Sequence, residues 1–287
     1  MRHSRQDWFR VTWRTAGKCL AVVWLVVYSP LGMAQPQRAA ESPTASQVME
    51  EALAASRAFP DLEARVRLVI HLMENRLSGF GTYQQSSQSD RVRFRYEWRL
   101  PGSERTISWL EVFDGDYLWT RTDWEGQLRL EFVDIGRLRR DEAVDSERLV
   151  YAGGVPGLFY GLKQAYQFTT LRATSLGREP VWEIIGTWKS EGRRSHDASQ
   201  SGTQRLRVPV PGRVRLFLSR DAALPYFPFR VEYYGDEEAT DGDPMMTLEF
   251  YEVRAGSGGD PRRYVYIPGD QPFSDVTERW RAALRSE

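Results

Sequence analysis

One cysteine, Cys19, occurs in 287 residues, and it sits at the start of an apolar N-terminal run. A disulfide, a thiolate zinc site or a cysteine nucleophile therefore has no raw material in the rest of the chain. Histidine is nearly as scarce. His3, His71 and His196 are the whole complement, so a Ser-His-Asp hydrolase or a His-ligated metal centre would have to draw on these. Neither charge is in excess, with 39 Lys+Arg against 39 Asp+Glu, which makes nucleic acid a poor partner. Also missing are a Gly-x-Ser-x-Gly elbow, a Walker loop, a His-Glu-x-x-His run and a paired Cys-x-x-Cys. Gly79-Phe-Gly81 lacks the third glycine of a dinucleotide loop. No catalytic residue, cofactor or metal is expected.

What is present belongs to a folded, exported protein. The chain is 27% charged and 41% hydrophobic, which argues against disorder and against a multi-span membrane protein. Arg2, Arg5, Arg10, Arg14 and Lys18 precede an apolar run from Cys19 to Tyr28, followed by Pro30, Gly32 and Ala34. The run is short of the ~20 residues of a spanning helix. The pattern predicts a signal peptide over residues 1–34, cut after Ala34, and a periplasmic protein. Residues 35–44 then form a flexible tether, and 45–287 a single domain.

Val48, Met49, Ala52, Leu53 and Ala55 recur at helical spacing before Pro60, predicting one opening helix. From Ala64 the period changes to two. Gly79 and Gly81 read as a turn. Residues 91–100 then alternate without a break, with Val92, Phe94, Tyr96, Trp98 and Leu100 on one side and Arg91, Arg93, Arg95, Glu97 and Arg99 on the other. Strands follow at 106–113, 117–121 and 127–133, short helices at 136–144 and 156–166, and strands at 167–172, 180–189, 213–219, 226–234, 245–254 and 263–267. A last helix spans 275–285. About ten strands with few helices predict a mainly β fold built on a large curved antiparallel sheet.

Candidate chemistry is thin. Asp114, Asp116, Asp123 and Glu125 flank Gly115 and Gly126, as hairpin turns require. His196 lies in a polar loop, His71 falls on the more polar side of its strand, and the acidic stretch 236–243 lacks the ligand spacing of a calcium loop. Aromatic residues stand out instead. Phe94, Tyr96, Trp98, Trp109, Trp119, Trp182, Trp188 and Phe217 fall within strands and are the candidate lining of an apolar cup. Strands 106–113 and 180–188 are apolar on both sides, so both sides must be covered.

This order of elements resembles the LolA/LolB-like family of periplasmic lipoprotein carriers over residues 45–285. The likeness rests on the opening helix and long strand ending near Leu77-Ser-Gly79, the Arg-x-Arg strand from Arg91 to Trp98, and Val112-Phe-Asp-Gly-Asp-Tyr-Leu-Trp119. It rests also on Leu224-Pro-Tyr-Phe-Pro-Phe-Arg-Val-Glu-Tyr-Tyr234, Tyr266-Ile-Pro-Gly269 and Asp275-Val-Thr277. The resemblance implies an incomplete barrel whose concave apolar face is covered by helices and accepts acyl chains. One departure is plain: the Arg-Pro pair of those carriers has no counterpart, since Phe94 follows Arg93 and Tyr96 follows Arg95. The expected function is non-enzymatic binding or carriage of the acyl part of a lipid or lipoprotein. The alternative is an envelope protein-interaction or stress-sensing module on the same fold.

Overall fold

The computed structural model describes residues 42–72, 75–87, 91–102, 105–124, 126–149, 151–189, 211–235, 242–256 and 260–285. The signal-peptide reading, most of the tether, His196 and most of the acidic stretch 236–243 lie outside the described residues.

Helix α1 (Ala45–Ser56) begins where the sequence caps it. The Thr44 hydroxyl accepts the Gln47 backbone N–H, and the Gln47 side chain accepts the Thr44 N–H at 2.7 Å. Such a reciprocal cap satisfies two otherwise orphaned donors. Thr44→Ala is expected to cost about 1 kcal/mol, read as a lower urea midpoint with unchanged slope. Val48, Met49, Ala52 and Leu53 form its buried stripe.

Six strands follow as a meander: β1 (Leu62–Leu72), β2 (Asn75–Ser86), β3 (Arg93–Pro101), β4 (Thr106–Phe113), β5 (Tyr117–Trp124) and β6 (Gln127–Asp134). Three helices intervene, α2 (Ile135–Arg139), α3 (Ser146–Leu149) and α4 (Gly154–Ala165). A second meander is made of β7 (Tyr166–Leu176), β8 (Glu179–Trp188), β9 (Arg213–Ser219), β10 (Pro228–Tyr234) and β11 (Met246–Ala255). A 3-10 turn (Pro261–Tyr264), a short β12 (Ser274–Asp275) and α5 (Thr277–Arg285) complete the chain.

The twelve strands among the described residues form one curved, unclosed sheet in the order β12-β6-β5-β4-β3-β2-β1-β11-β10-β9-β8-β7. Every pairing is antiparallel except β12 with β6. Alternation gives the sheet two faces. On the helix-bearing face Val66, Tyr83, Phe94, Leu216 and Ile184 meet the buried stripes of α1 and of α4, where Val155, Phe159 and Leu162 point inward. The opposite, open face carries the arginines of β3 and is crossed near β5 and β6 by residues 265–273, where Tyr266 and Phe273 touch Trp119.

The expected mainly β fold with helices on one face is the fold observed. Two local expectations are corrected. Gly79 and Gly81 are not a turn; they lie inside β2, opposite Leu68 and Val66 of β1. Their role is close approach, because a Cβ on Gly81 would sit 1.9 Å from the carbonyl oxygen of Glu97 and one on Gly79 2.5 Å from that of Arg99. The strand expected at 263–267 is absent. Pro261 starts a 3-10 turn there, and Asp260 caps it by accepting the Arg262 N–H.

Candidate functional site

The register sorts the eight candidate rings. Phe94, Tyr96 and Trp98 share the helix-bearing face with Trp109, which lies directly across from Trp98. Trp182 pairs with Leu218 and Trp188 with Tyr166, which places both on that face as well. The other two face the opposite way. Trp119 pairs with Val112 and Phe132, whose parity is that of Arg95, so it belongs to the open face. There it packs on Phe132, Tyr266 and Phe273 at 4.7, 5.4 and 5.1 Å between ring centres. Phe217 pairs with Glu183 and lies on the open face beneath the guanidinium groups of Arg215 and Arg230. Trp119 sits on a strand with large apolar residues on both sides, whereas Phe217 shares the side of Arg213 and Arg215 and is opposite in parity to Val214, Leu216 and Leu218.

Much of the helix-bearing face is filled. Phe94 and Tyr83 are each 1% exposed, and Phe159 and Phe227 have no exposure. Phe94 rests against Phe113, Tyr83 stands edge-on to both Tyr96 and Phe250, and Phe227 meets Phe59, Phe229 and Phe250. Trp98 and Trp109 are half-buried and stack with planes 1° apart. Trp182 lies under the guanidinium of Arg220 at 4.6 Å.

Among these rings is a half-buried acid. Glu111 of β4 pairs with Tyr96 and Thr120 and faces α4, where the Gly154 backbone N–H donates to it. Burial pushes its carboxyl up to about 7 from the ordinary 4.5, and the Gly154 bond pulls only partly the other way. Beside it the Tyr83 hydroxyl accepts the Val155 N–H at 3.1 Å and donates to Gln85, whose amide donates to the Ser56 carbonyl at the end of α1. The start of α4 and the end of α1 are thus tied to the sheet through one buried polar chain, and burial raises the Tyr83 hydroxyl far above its usual range. Sequence reasoning passed over Glu111, although its position has the parity of Trp109 and Phe113.

A cleft of about 640 Å³ opens elsewhere, lined in part by Leu224, Phe229, Phe250, Val253 and Leu176. The ladder explains it. β10 joins β11 only from Arg230–Tyr233 to Met246–Glu249; beyond that β11 continues with β1 while Pro228 pairs with β9. Bulges occur on both sides of this wedge, one between Pro228 and Arg230 and one opposite Glu63 and Arg65. Bulges bend strands and increase their twist. Glu252 (φ 50°) and Tyr226 (φ 62°), the positive-φ residues other than glycine among those described, lie in the bulged part of β11 and in the β9–β10 connection. Such conformations are costly and gather at functional sites. At the mouth Arg230 is held by Glu249 at 2.7 Å and by Glu232 at 3.5 Å, so those charges are mutually satisfied. None of the eight candidate rings lines this cleft. Its signal in the sequence is the pair Pro225 and Pro228, which interrupt a strand pattern.

Of the acids flanking the hairpin glycines, Asp114 and Asp123 act as turn formers, Asp116 pairs with Arg91 and Arg139, and Glu125 lies outside the described residues. Asp114 accepts the N–H groups of Asp116 and Tyr117, and Asp123 that of Gly126. Among the described residues no group of three or more His, Cys, Asp or Glu side chains is arranged to hold a metal, and no helix is long and apolar enough to cross a membrane.

No protein-family profile and no curated protein sequence matches the chain. Solved structures similar to it include a chain of the Pseudomonas aeruginosa MucA/MucB complex, at 12% identity and TM-score 0.41, over 78% of this chain. This chain spans 61% of the length of that one. Others are an outer membrane lipoprotein-sorting protein domain of Vibrio parahaemolyticus (10% identity, TM-score 0.34, 77% of this chain and 95% of that) and a LolA superfamily protein of Nitrosomonas europaea (14%, 0.27, 78% and 99%).

Proposed function

We propose that this chain is a non-enzymatic periplasmic binding protein whose ligand is the acyl part of a lipid or lipoprotein. The chain enters the wedge beside β10 and β11. The observation that carries the reading is the cleft of about 640 Å³ with Leu224, Phe229, Phe250 and Val253 among its lining residues, a volume within the ordinary range of small-ligand sites. Burying about fifteen methylenes gains about 12 kcal/mol, which leaves roughly 8 kcal/mol, a micromolar affinity, after association costs of about 4 kcal/mol at their lower end. None of the eight rings expected to line the helix-covered cup is among the residues lining this cleft, so this reading sets the acyl site at the sheet's split end.

The test is organic extraction and mass spectrometry of protein purified without detergent, paired with titration of a fluorescent fatty acid. The parent chain is expected to release acyl lipid. Val253→Asp, which sets a carboxylate in the apolar lining, is expected to weaken fatty-acid binding about tenfold or more. An empty extract together with equal binding by the variant would remove the reading.

One observation favours the protein-interaction alternative. β7 is a terminal strand of the sheet, and Arg172, Ala173, Thr174 and Ser175 along it are exposed, which suits strand addition by a partner. A stable protein partner captured from periplasm, with no co-purified lipid, would favour it over acyl binding.

A further inference from the structure

The open face of β2 to β5 has an uneven charge distribution. Register places Arg76, Arg93, Arg95, Arg99 and Arg121 there against Glu97 and Asp123, in a chain whose charges balance overall. Farther along the same face several arginines are matched: Arg215 meets Glu183 and Glu232, Arg230 meets Glu232 and Glu249, and Arg67 meets Glu249, while Arg213 lies over the ring of Tyr234. On β2 to β5 the one ion pair among these residues is Arg95 with Glu97 at 3.2 Å. The Nε atoms of Arg93 and Arg121 are buried without a hydrogen-bond partner, and Arg76 and Arg99 are exposed.

Apolar side chains border this basic field. Phe80, directly across from Arg99, is 57% exposed. The segment at 265–273 crosses the face at Trp119 and presents Ile267 at 81% and Phe273 at 51% exposure, with Tyr117 also exposed beside Phe132. Isolated exposed apolar residues are ordinary, but a cluster of large ones beside unmatched cations marks an interaction surface. Arginine with amphipathic aromatic rings is what a headgroup layer rewards: the guanidinium meets phosphate while the rings sit at the interface.

We infer that the open face of β2 to β5, with Ile267 and Phe273 at its margin, docks the protein on an anionic lipid bilayer. Charge complementarity selects the occupant. The excess is of one sign and spread along neighbouring strands, as a headgroup surface requires. This surface is on the side opposite α1 and α4, and it does not depend on what fills the wedge cleft.

The test is co-sedimentation of the chain, recovered from an exporting host with its first residue read by mass spectrometry, with vesicles of phosphatidylglycerol and phosphatidylcholine or of phosphatidylcholine alone. The parent is expected to sediment with the anionic vesicles, and to be released as salt screens the attraction. Arg76→Glu with Arg99→Glu, and separately Ile267→Asp, are expected to lower that partition about tenfold or more; all three positions are exposed, and near-UV circular dichroism checks their folding. The inference is overturned if the parent shows no preference for anionic vesicles, if both variants sediment like the parent, or if soluble polyglutamate competes the chain off vesicles at equal charge. The last result would point to an acidic protein instead. The parent's comparison of the two vesicle types at low and high salt decides the matter even if a variant misfolds.

Discussion

Gly81→Ala is expected to destabilise the chain by about 3 kcal/mol or more, enough to unfold much of a marginally stable population. A Cβ at this position meets three backbone atoms of the neighbouring strand: the Glu97 carbonyl oxygen at 1.9 Å, the Trp98 Cα at 2.7 Å and the Glu97 carbonyl carbon at 2.8 Å. None of these atoms can turn aside as a flexible side chain does, so the β2–β3 ladder itself must open. Gly177, exposed in the β7–β8 turn with nothing near its missing side chain, is a comparison free of steric conflict, although its φ of 64° gives alanine a conformational cost of its own. Thermal unfolding of both variants reads the difference. A melting temperature for Gly81→Ala within about 2 °C of the parent would show that the two strands have slack.

The second large effect is a pH dependence seated at Glu111. Below about pH 4.5 this carboxyl is protonated in folded and unfolded chains alike, and its burial makes no pH-dependent difference. As pH rises toward about 7 the unfolded chain ionises first while the folded chain keeps its proton. Stability therefore falls through that interval by roughly 3 kcal/mol and stays reduced above it. Glu111→Gln retains a carbonyl acceptor for the Gly154 N–H without the titration. Urea midpoints measured at pH 5 and pH 8 should draw apart for the parent and much less for Glu111→Gln. Equal pH dependence in the two proteins would falsify the assignment. If it holds, the charge at Glu111 bears on how firmly α4 is seated, because the same carboxylate accepts from the first residue of that helix.

The parts of this architecture legible in the sequence are those governed by a single local rule. The helical spacing of Val48, Met49, Ala52 and Leu53 before Pro60 announces α1, and the strict alternation from Phe94 to Leu100 fixes both the existence and the facing of β3. Asp-Gly pairs mark the β4–β5 hairpin, with Gly115 at φ 106°. The misses occur where two chain segments decide jointly. Trp119 lies on a strand with large apolar residues on both sides, so its facing follows from its partners, whereas Phe217 shares the side of Arg213 and Arg215 and its facing was within reach of simple alternation. Gly79 and Gly81 looked like a turn because glycine serves turns and close approaches equally well. The wedge cleft depends on bulges in β10 and β11 being brought together across the sheet, so no window of sequence contains it. Glu111 was within reach: an acid on the same side as Trp109 and Phe113 is out of place unless something polar meets it, and the start of α4 does.

The strand order has a consequence for how the molecule is assembled. Each meander pairs neighbours in sequence, so either ribbon can zip locally, but they join only where β1 meets β11, with Leu68 beside Leu248. That seam closes a long stretch of chain and belongs to the slow, non-local class of contacts. The two halves can therefore mature separately, and the finished sheet must await β11. A chain threaded through a narrow channel from its first residue onward stays unsealed until that strand has followed the whole first ribbon.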